Sequence, residues 1–425
     1  MLREMKYVVI VGDGMADYPV EGLGGKTPLM VARKPYMDWM AMHGEVGLVR
    51  TIPEGFNPGS EIANLSIFGY DPARYYTGRG PLEAASLGVK LQADDIAFRC
   101  NLVTLQIDGT KTIMEDFSAG HITSDEAKKI INDLNQEMGT NEIRFYPGVS
   151  YRHLMVLKNG AAKFSNLEKI EFTPPHDIIG KEVSPFLPQI VRSSRSQFSR
   201  TGGVDQVLTL MTRSQRFLKN HPVNLAREAN GLRPANSIWL WGQGRSPQMT
   251  TLKERFGIEG YVISAVHLLK GIGIYAGLEV LEVPGATGYI DTNYEGKAEH
   301  ALNSLKEKDF VYVHVEAPDE AGHMGDPKLK IETIEVFDEK IVGAILRGLN
   351  VFGRYKILVL PDHPTPLSIR THTADPVPYV IYSNVDGAQH SNVEGFDEIS
   401  ARRSGIFIEK GFELIERFFG PSRSG

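Results

Sequence analysis

Two short apolar runs, each ending abruptly in carboxylate and imidazole, constrain this chain more than any other feature. Val311-Tyr312-Val313-His314-Val315 and Ile357-Leu358-Val359-Leu360 are dominated by aliphatic residues. Runs of this kind read as strands buried on both sides, the habit of a parallel sheet covered by helices. The first run leads to Asp319 and, four residues on, His323. The second leads to Pro361-Asp362-His363, with His372 in the following Thr371-His372-Thr373. In open α/β sheets ligand groups collect just beyond the carboxyl ends of strands. Carboxylate combined with imidazole suits a borderline divalent ion. Any one of these residues has a plain alternative as a loop or surface group. The whole set at two strand ends predicts a binuclear metal site.

The same alternation of strand and helix recurs elsewhere. Tyr7 to Val11 predicts a strand cut off by Gly12-Asp13-Gly14, Tyr36 to His43 a helix, and Gly47 to Thr51 another strand. From about Trp239 the rhythm returns, with a strand expected at Gly260 to Ala265, a helix at Lys297 to Leu305 and a long helix at Lys328 to Leu346. The middle of the chain has another texture. Phe98 to Gln106 alternates, Leu154 to Leu157 ends in a Lys158-Asn159-Gly160 turn, and helices are expected at Ser124 to Met138 and Val204 to Asn220. The expected fold is therefore α/β: a mostly parallel sheet with helices on both faces, built from residues 1–91 and 236–425, carrying an inserted α+β domain at 92–235. Ser184 to Gly203, with Pro185, Pro188 and Ser193-Ser194-Arg195-Ser196, reads as a mobile, protease-sensitive loop.

Composition narrows the function classes. At 425 residues and 42% hydrophobic content the chain exceeds one compact domain, and two are expected. A net charge of -6 argues against nucleic acid or an anionic membrane as a partner. The single Cys100 excludes an internal disulfide and a cysteine-rich metal site, which fits a reducing compartment. No apolar run reaches the length of a membrane span or a signal sequence, so a soluble, cytoplasmic protein is expected.

Asp13 directly follows the first strand. Asp in a glycine turn is often only a turn former, yet here it is a third strand-end aspartate. Ser60, in Asn57-Pro58-Gly59-Ser60-Glu61, stands at an apparent helix start. It reads either as an N-cap or as a nucleophile whose oxygen is activated by a metal, and the pattern leaves both open. Arg79, Arg152, Arg245 and Lys270 lie in glycine-rich or irregular context and are candidate grips for an anionic substrate; each is equally readable as a solvated charge. Gly271-Ile272-Gly273 lacks the spacing of a dinucleotide fingerprint.

In order along the chain, Gly12-Asp13-Gly14, Pro58-Gly59-Ser60, Asn64-Leu65-Ser66, Gly69-Tyr70-Asp71-Pro72, Thr77-Gly78-Arg79-Gly80, Asp291-Thr292-Asn293-Tyr294, Pro318-Asp319-Glu320-Ala321-Gly322-His323, Asp362-His363 and His372-Thr373-Ala374-Asp375-Pro376 are found. Together they resemble the cofactor-independent phosphoglycerate mutases, in the archaeal-type branch of the alkaline phosphatase superfamily. The resemblance implies one metal on Asp13, the Ser60 oxygen, Asp362 and His363, and another on Asp319, His323 and His372. It implies Ser60 as the phosphorylated nucleophile, with Lys270 and Arg245 as catalytic cations. Two divalent ions are expected, Mn²⁺ first with Zn²⁺ or Mg²⁺ as alternatives, and no organic cofactor. The expected partner is a small phosphorylated substrate, and the expected state a monomer or small homo-oligomer. An insert closing over the core would keep water from the phosphoserine.

One stretch departs from the branch. Where archaeal-type mutases carry an Arg-Arg-Ala-Gly-Arg-like segment, this chain reads Phe117-Ser118-Ala119-Gly120-His121. That resembles a bacterial clade proposed to act as homoserine kinase in threonine biosynthesis. Phosphoryl transfer to homoserine and metal-dependent phosphate hydrolysis therefore stand as alternatives. The absence of a Walker A loop speaks against the first, and the large insert against the second.

Overall fold

In the computed structural model, which describes residues 5–109, 111–164, 166–188, 202–385 and 393–420, the apolar run after Lys6 becomes the strand Lys6–Gly12 within an eight-stranded sheet. The strand order is Phe407–Ile408, Glu45–Val49, Val377–Ser383, Tyr355–Leu360, Lys6–Gly12, Phe310–Val315, Gly260–Ile263, Glu279–Val280. Lys6–Gly12 runs parallel to both neighbours, with Gly12 opposite Val315 and Val11 opposite Leu360. This register brings three strand ends to one edge, so Asp13, the segment from Glu316 and the segment from Pro361 leave the sheet side by side. Val377–Ser383 and Glu45–Val49 add antiparallel pairs, and the former was not anticipated from sequence. One face of the sheet, with Val8, Ile10, Val311, Val313, Ile357 and Val359, packs in a single core with Phe337, Ile341 and Ile345.

The chain divides into two units, Met1–Tyr76 with Gln248–Gly425, and Thr77–Pro247. The boundaries differ from the expected 91/92 and 235/236 for a physical reason. Ser237–Gly244 is as apolar as a core strand, but it pairs antiparallel with the long strand Ile96–Asp108 inside the second unit. The helix Arg79–Ser86 packs on those same two strands. The remaining strands of that unit are Lys111–Asp116, Ile143–Val149 and Arg152–Leu157, all antiparallel. The helices Ser124–Met138 and Gly202–Leu218 bury their apolar stripes against this sheet. Of the expected Ser184 to Gly203 loop, residues 189–201 lie outside the described residues. Among the described residues no helix is long and apolar enough to cross a membrane.

The expected long helix is interrupted. Pro327–Phe337 passes through a π-helical turn, Asp338–Gly343, before Ala344–Leu349 completes it. The wider turn begins at Asp338, whose carboxylate accepts from Met37 N at 2.7 Å and Tyr36 N at 3.1 Å. It thereby caps the helix Pro35–His43, whose own residue before Pro35 supplies no side-chain cap. Burial pushes this carboxyl up to about 6 from an ordinary 3.8. The folded state then holds a proton that the unfolded chain has released, so the Asp338 contribution to stability falls as pH rises from about 4 to about 6. Asp338→Asn should gain stability relative to wild type across that window in urea denaturation; superimposable pH profiles would contradict the assignment.

Candidate metal centre

The turn after Gly12 is shaped for close approach. Gly14 sits at φ +60, and a Cβ there would run into Asp319 Oδ1 and Thr365 Oγ1. The bare backbone lets Asp13, Asp319 and Asp362 pack into one buried cluster. Each carboxylate has its own anchors. Asp362 Oδ1 accepts from Gly14 N (3.1 Å) and His363 N (2.9 Å), and its Oδ2 from Asn64 Nδ2 (2.8 Å). Asp319 lies 3.2 Å from His323 Nε2 and 3.5 Å from His372 Nε2, and Thr365 Oγ1 donates to it. Asp13 meets His314 Nε2 at 3.3 Å through Oδ2, whereas its Oδ1 is buried with no hydrogen-bond donor, 3.4 Å from His363 Nε2.

Two groups of donor atoms lie within 4.8 Å of one another: Asp13, Asp362 and His363, and Asp319, His363 and His372. His363 stands within reach of both, and its Nε2, with one lone pair, faces Asp13 and Ser60, the side to which the expected partition assigned it. His323 borders the second group, with Nε2 3.0 Å from His372 Nε2. Its Nδ1 donates to Arg370 O at 2.9 Å, which turns Nε2 inward. Arg370 adopts φ 55, a left-handed backbone that a non-glycine residue seldom holds unless its surroundings require it.

The electrostatics fit cations. Burial, then the Asp362 and Asp319 charges, push the Asp13 carboxyl well above the ordinary carboxylate range. Burial also opposes ionisation of Asp319, but hydrogen bonds from His323 and His372 hold it well below that range. The hydrogen bond to Asp319 in turn pushes His323 up to about 9. A carboxylate oxygen without a donor, repelled by two neighbours, is where a divalent ion would relieve the most strain. Histidine ligands must be neutral, so binding here displaces protons.

Sequence reading missed what lies behind Asp13. His314, on the strand Phe310–Val315, is fully buried; its Nδ1 meets Glu316 at 3.1 Å. Lys297 Nζ, also fully buried, donates to His314 O (2.9 Å) and Glu316 (3.2 Å). Burial would raise the Glu316 carboxyl, but the Lys297 ammonium, then His314, hold it down to about 2. His314 is driven up to about 10, because the Glu316 charge and Asp13 outweigh its burial. A histidine and a glutamate flanking Val315 at a strand end were the available signal. Lys297 gave none, since only the fold reveals that a mid-helix lysine points inward. Removing it would strand a buried carboxylate, at a cost of about 3–5 kcal/mol.

Ser60 is not an N-cap. Gly59 occupies that position, and Ser60 opens the helix Ser60–Ile67 with Oγ 3.2 Å from His363 Nε2. Asn64 ties this turn to the carboxylates, donating to Ser60 O at 2.9 Å as well as to Asp362. Tyr312 OH donates to Asn64 Oδ1 from the sheet. Lys270 is elsewhere engaged: buried on the helix His267–Tyr275, its Nζ meets both Glu282 oxygens at 2.7 and 2.8 Å.

The other cations expected from sequence lie in the second unit. Arg245 pairs with Asp94 at 2.9 Å and donates to Ala93 O. Arg79 lies over the Trp241 ring at 5.6 Å, and Arg152 over the Tyr151 ring at 5.0 Å. Arg99, missed from sequence, is buried over Trp241 at 4.3 Å and pairs with Glu83 at 3.0 Å. Burial lowers its pKa, and after the opposing Glu83 charge the fields of Arg79 and Arg152 lower it further. Three guanidiniums therefore share one neighbourhood. The signal was an arginine between Phe98 and Cys100 in an apolar strand.

The two groups give a sharp prediction. His363→Ala should weaken Mn²⁺ binding at the group with Asp13 and Asp362, and His372→Ala at the group with Asp319, each lowering the stoichiometry from two ions to one in equilibrium dialysis of the purified variants. Two ions bound with wild-type affinity in either variant would contradict the assignment.

A family model for 2,3-bisphosphoglycerate-independent phosphoglycerate mutase matches residues 41–224. The chain is 53% identical over 412 residues to a protein of that name from Methanosarcina acetivorans, covering 97% of this chain and 98% of the relative. It is 52% identical to a probable enzyme of that name from Geobacter sulfurreducens, covering 97% and 99%. Among solved structures, a Pyrococcus horikoshii protein superimposes with TM-score 0.80 at 29% identity, covering 98% of this chain and 97% of that one. The cofactor-independent phosphoglycerate mutase of Thermoplasma acidophilum does so with TM-score 0.65 at 26% identity, covering 98% and 99%. With relatives this similar along nearly the whole length, the chain belongs to the 2,3-bisphosphoglycerate-independent phosphoglycerate mutase family.

Proposed function

We propose that this chain interconverts 3-phosphoglycerate and 2-phosphoglycerate through a phosphoserine at Ser60. The observation that carries the reading is Ser60 Oγ at the first position of a helix, 3.2 Å from His363 Nε2 and beside the donor groups. Ser60 Oγ attacks phosphorus, the bond to the 3-oxygen of glycerate breaks, and the proton lost by Ser60 ends on that oxygen. Glycerate then presents its 2-hydroxyl, which takes the phosphoryl group as the bond to Oγ breaks and the serine regains a proton. No water and no second substrate enters the balance. The N–H groups of the Ser60–Ile67 helix suit the phosphoryl oxygens. Asn64 fixes the serine against Asp362, so the attacking oxygen starts positioned. Two divalent ions, Mn²⁺ with Zn²⁺ or Mg²⁺ as alternatives, would be held by Asp13, Asp362 and His363 with the Ser60 oxygen, and by Asp319, His323 and His372, supplying positive charge beside the serine and phosphoryl oxygens. No organic cofactor takes part. We place the protein in the cytoplasm, as a monomer or small homo-oligomer, without nucleic acid or membrane partners.

Arg79, Arg99 and Arg152 are the proposed anion grip, since guanidinium matches both carboxylate and phosphate. Lys270 and Arg245 remain proposed substrate contacts that would first have to leave Glu282 and Asp94. Homoserine phosphorylation is the second reading, favoured by the Phe117 to His121 segment. There Asp116 accepts from Ser118 N (2.7 Å) and Gly120 N (3.1 Å), and Phe117 packs on Tyr151 with ring centroids 5.3 Å apart. The segment presents the Phe117 ring and carries no arginine, whereas Arg79, Arg99 and Arg152 offer a grip for a substrate bearing carboxylate and phosphate. Incubating the Mn²⁺-loaded protein with 3-phosphoglycerate, and separately with homoserine plus ATP, separates the readings by phosphorus NMR. We expect 2-phosphoglycerate in the first tube only, and no turnover in Ser60→Ala with an unchanged melting curve. Phosphohomoserine in the second tube, with 3-phosphoglycerate left intact in the first, would reverse the assignment.

A further inference from the structure

Lys330 has no place in the chemistry described so far, yet it is fully buried beneath the donor groups. It stands on the helix Pro327–Phe337, which follows the helix Ala317–Met324 that carries Asp319 and His323. An ammonium has three N–H bonds to satisfy. Those of Lys330 meet Asp17 Oδ2 at 2.7 Å, Thr365 O at 2.9 Å and Ala16 O at 3.2 Å. Ala16 and Asp17 end the turn that begins at Asp13, and Thr365 lies in the segment that begins at Asp362. The same two segments are joined by Thr365 N donating to Ala16 O at 3.2 Å and by Leu367 N donating to Asp17 Oδ1 at 3.2 Å. Thr365 carries the link onward, since its Oγ1 donates to Asp319 and lies 3.3 Å from His363 Nδ1.

We propose that Lys330 is a positioning residue that sets the spacing of the two donor groups. Its ammonium fastens the Asp13 turn to the Asp362 segment, and its helix fastens both to Asp319 and His323. Losing the clamp lets Asp13 move independently of Asp362 and His363, so both sites lose geometry while the arginines of the second unit are untouched.

The proposal rests on the metal reading above, and the test separates the two. Lys330→Met alone leaves Asp17 charged and buried, so the informative variant is Lys330→Met with Asp17→Asn, which removes the charge pair together. In equilibrium dialysis the folded double variant should bind Mn²⁺ about 10–100-fold more weakly at both sites, with kcat for 3-phosphoglycerate reduced alongside and KM within about twofold. Wild-type Mn²⁺ affinity in a folded double variant overturns the clamp, even if its melting temperature has dropped. If the double variant does not fold, Asp17→Asn alone removes the charged partner of the Lys330 ammonium, and unchanged Mn²⁺ affinity there overturns the proposal equally. Wild-type protein that takes up no Mn²⁺ would instead sink the metal reading itself.

Discussion

Three carboxylates, Asp13, Asp319 and Asp362, emerge from neighbouring parallel strands or the segments just after them and are buried within reach of one another. Two like charges 4 Å apart repel by about 4 kcal/mol at the dielectric usual for protein sites. A domain has only about 5–15 kcal/mol of net stability to set against such terms. Everything around the cluster answers this constraint. Lys297 and His314 bring positive charge behind Asp13, with Glu316 between them. Thr365 and Lys330 hold the opposite side. Three histidines complete the remaining face.

The same crowding explains the chemistry. Crowded carboxylates favour cations, and a cation held there would put positive charge beside Ser60, favouring an oxygen anion. The first unit concentrates carboxylates and imidazoles around Ser60, and the second gathers guanidiniums on Trp241 and Tyr151.

Much of this was legible because it is local. An apolar run stopping at Asp or at Asp-His announces both a strand and its functional end, and the parallel sheet follows from several such runs. Ser60 was ambiguous from sequence, and only the fold shows Gly59 taking the cap while the serine turns to His363. What failed depended on pairing. Ser237–Gly244 reads like any core strand, and nothing in its residues says that its partner is Ile96–Asp108. Lys297 and Lys330 look like ordinary helix lysines until the fold buries them. The π-helical turn at Asp338 coincides with a bond to a helix some three hundred residues earlier, beyond the reach of any periodicity.

The proposed function stands on two adjacent metal positions at the carboxyl edge of this sheet. Anomalous diffraction at the manganese edge, on crystals grown with Mn²⁺, tests it most directly. Two peaks are expected, one bounded by Asp13, Asp362 and His363 and the other by Asp319, His323 and His372. A single peak, or no peak beside these residues, would contradict the proposal.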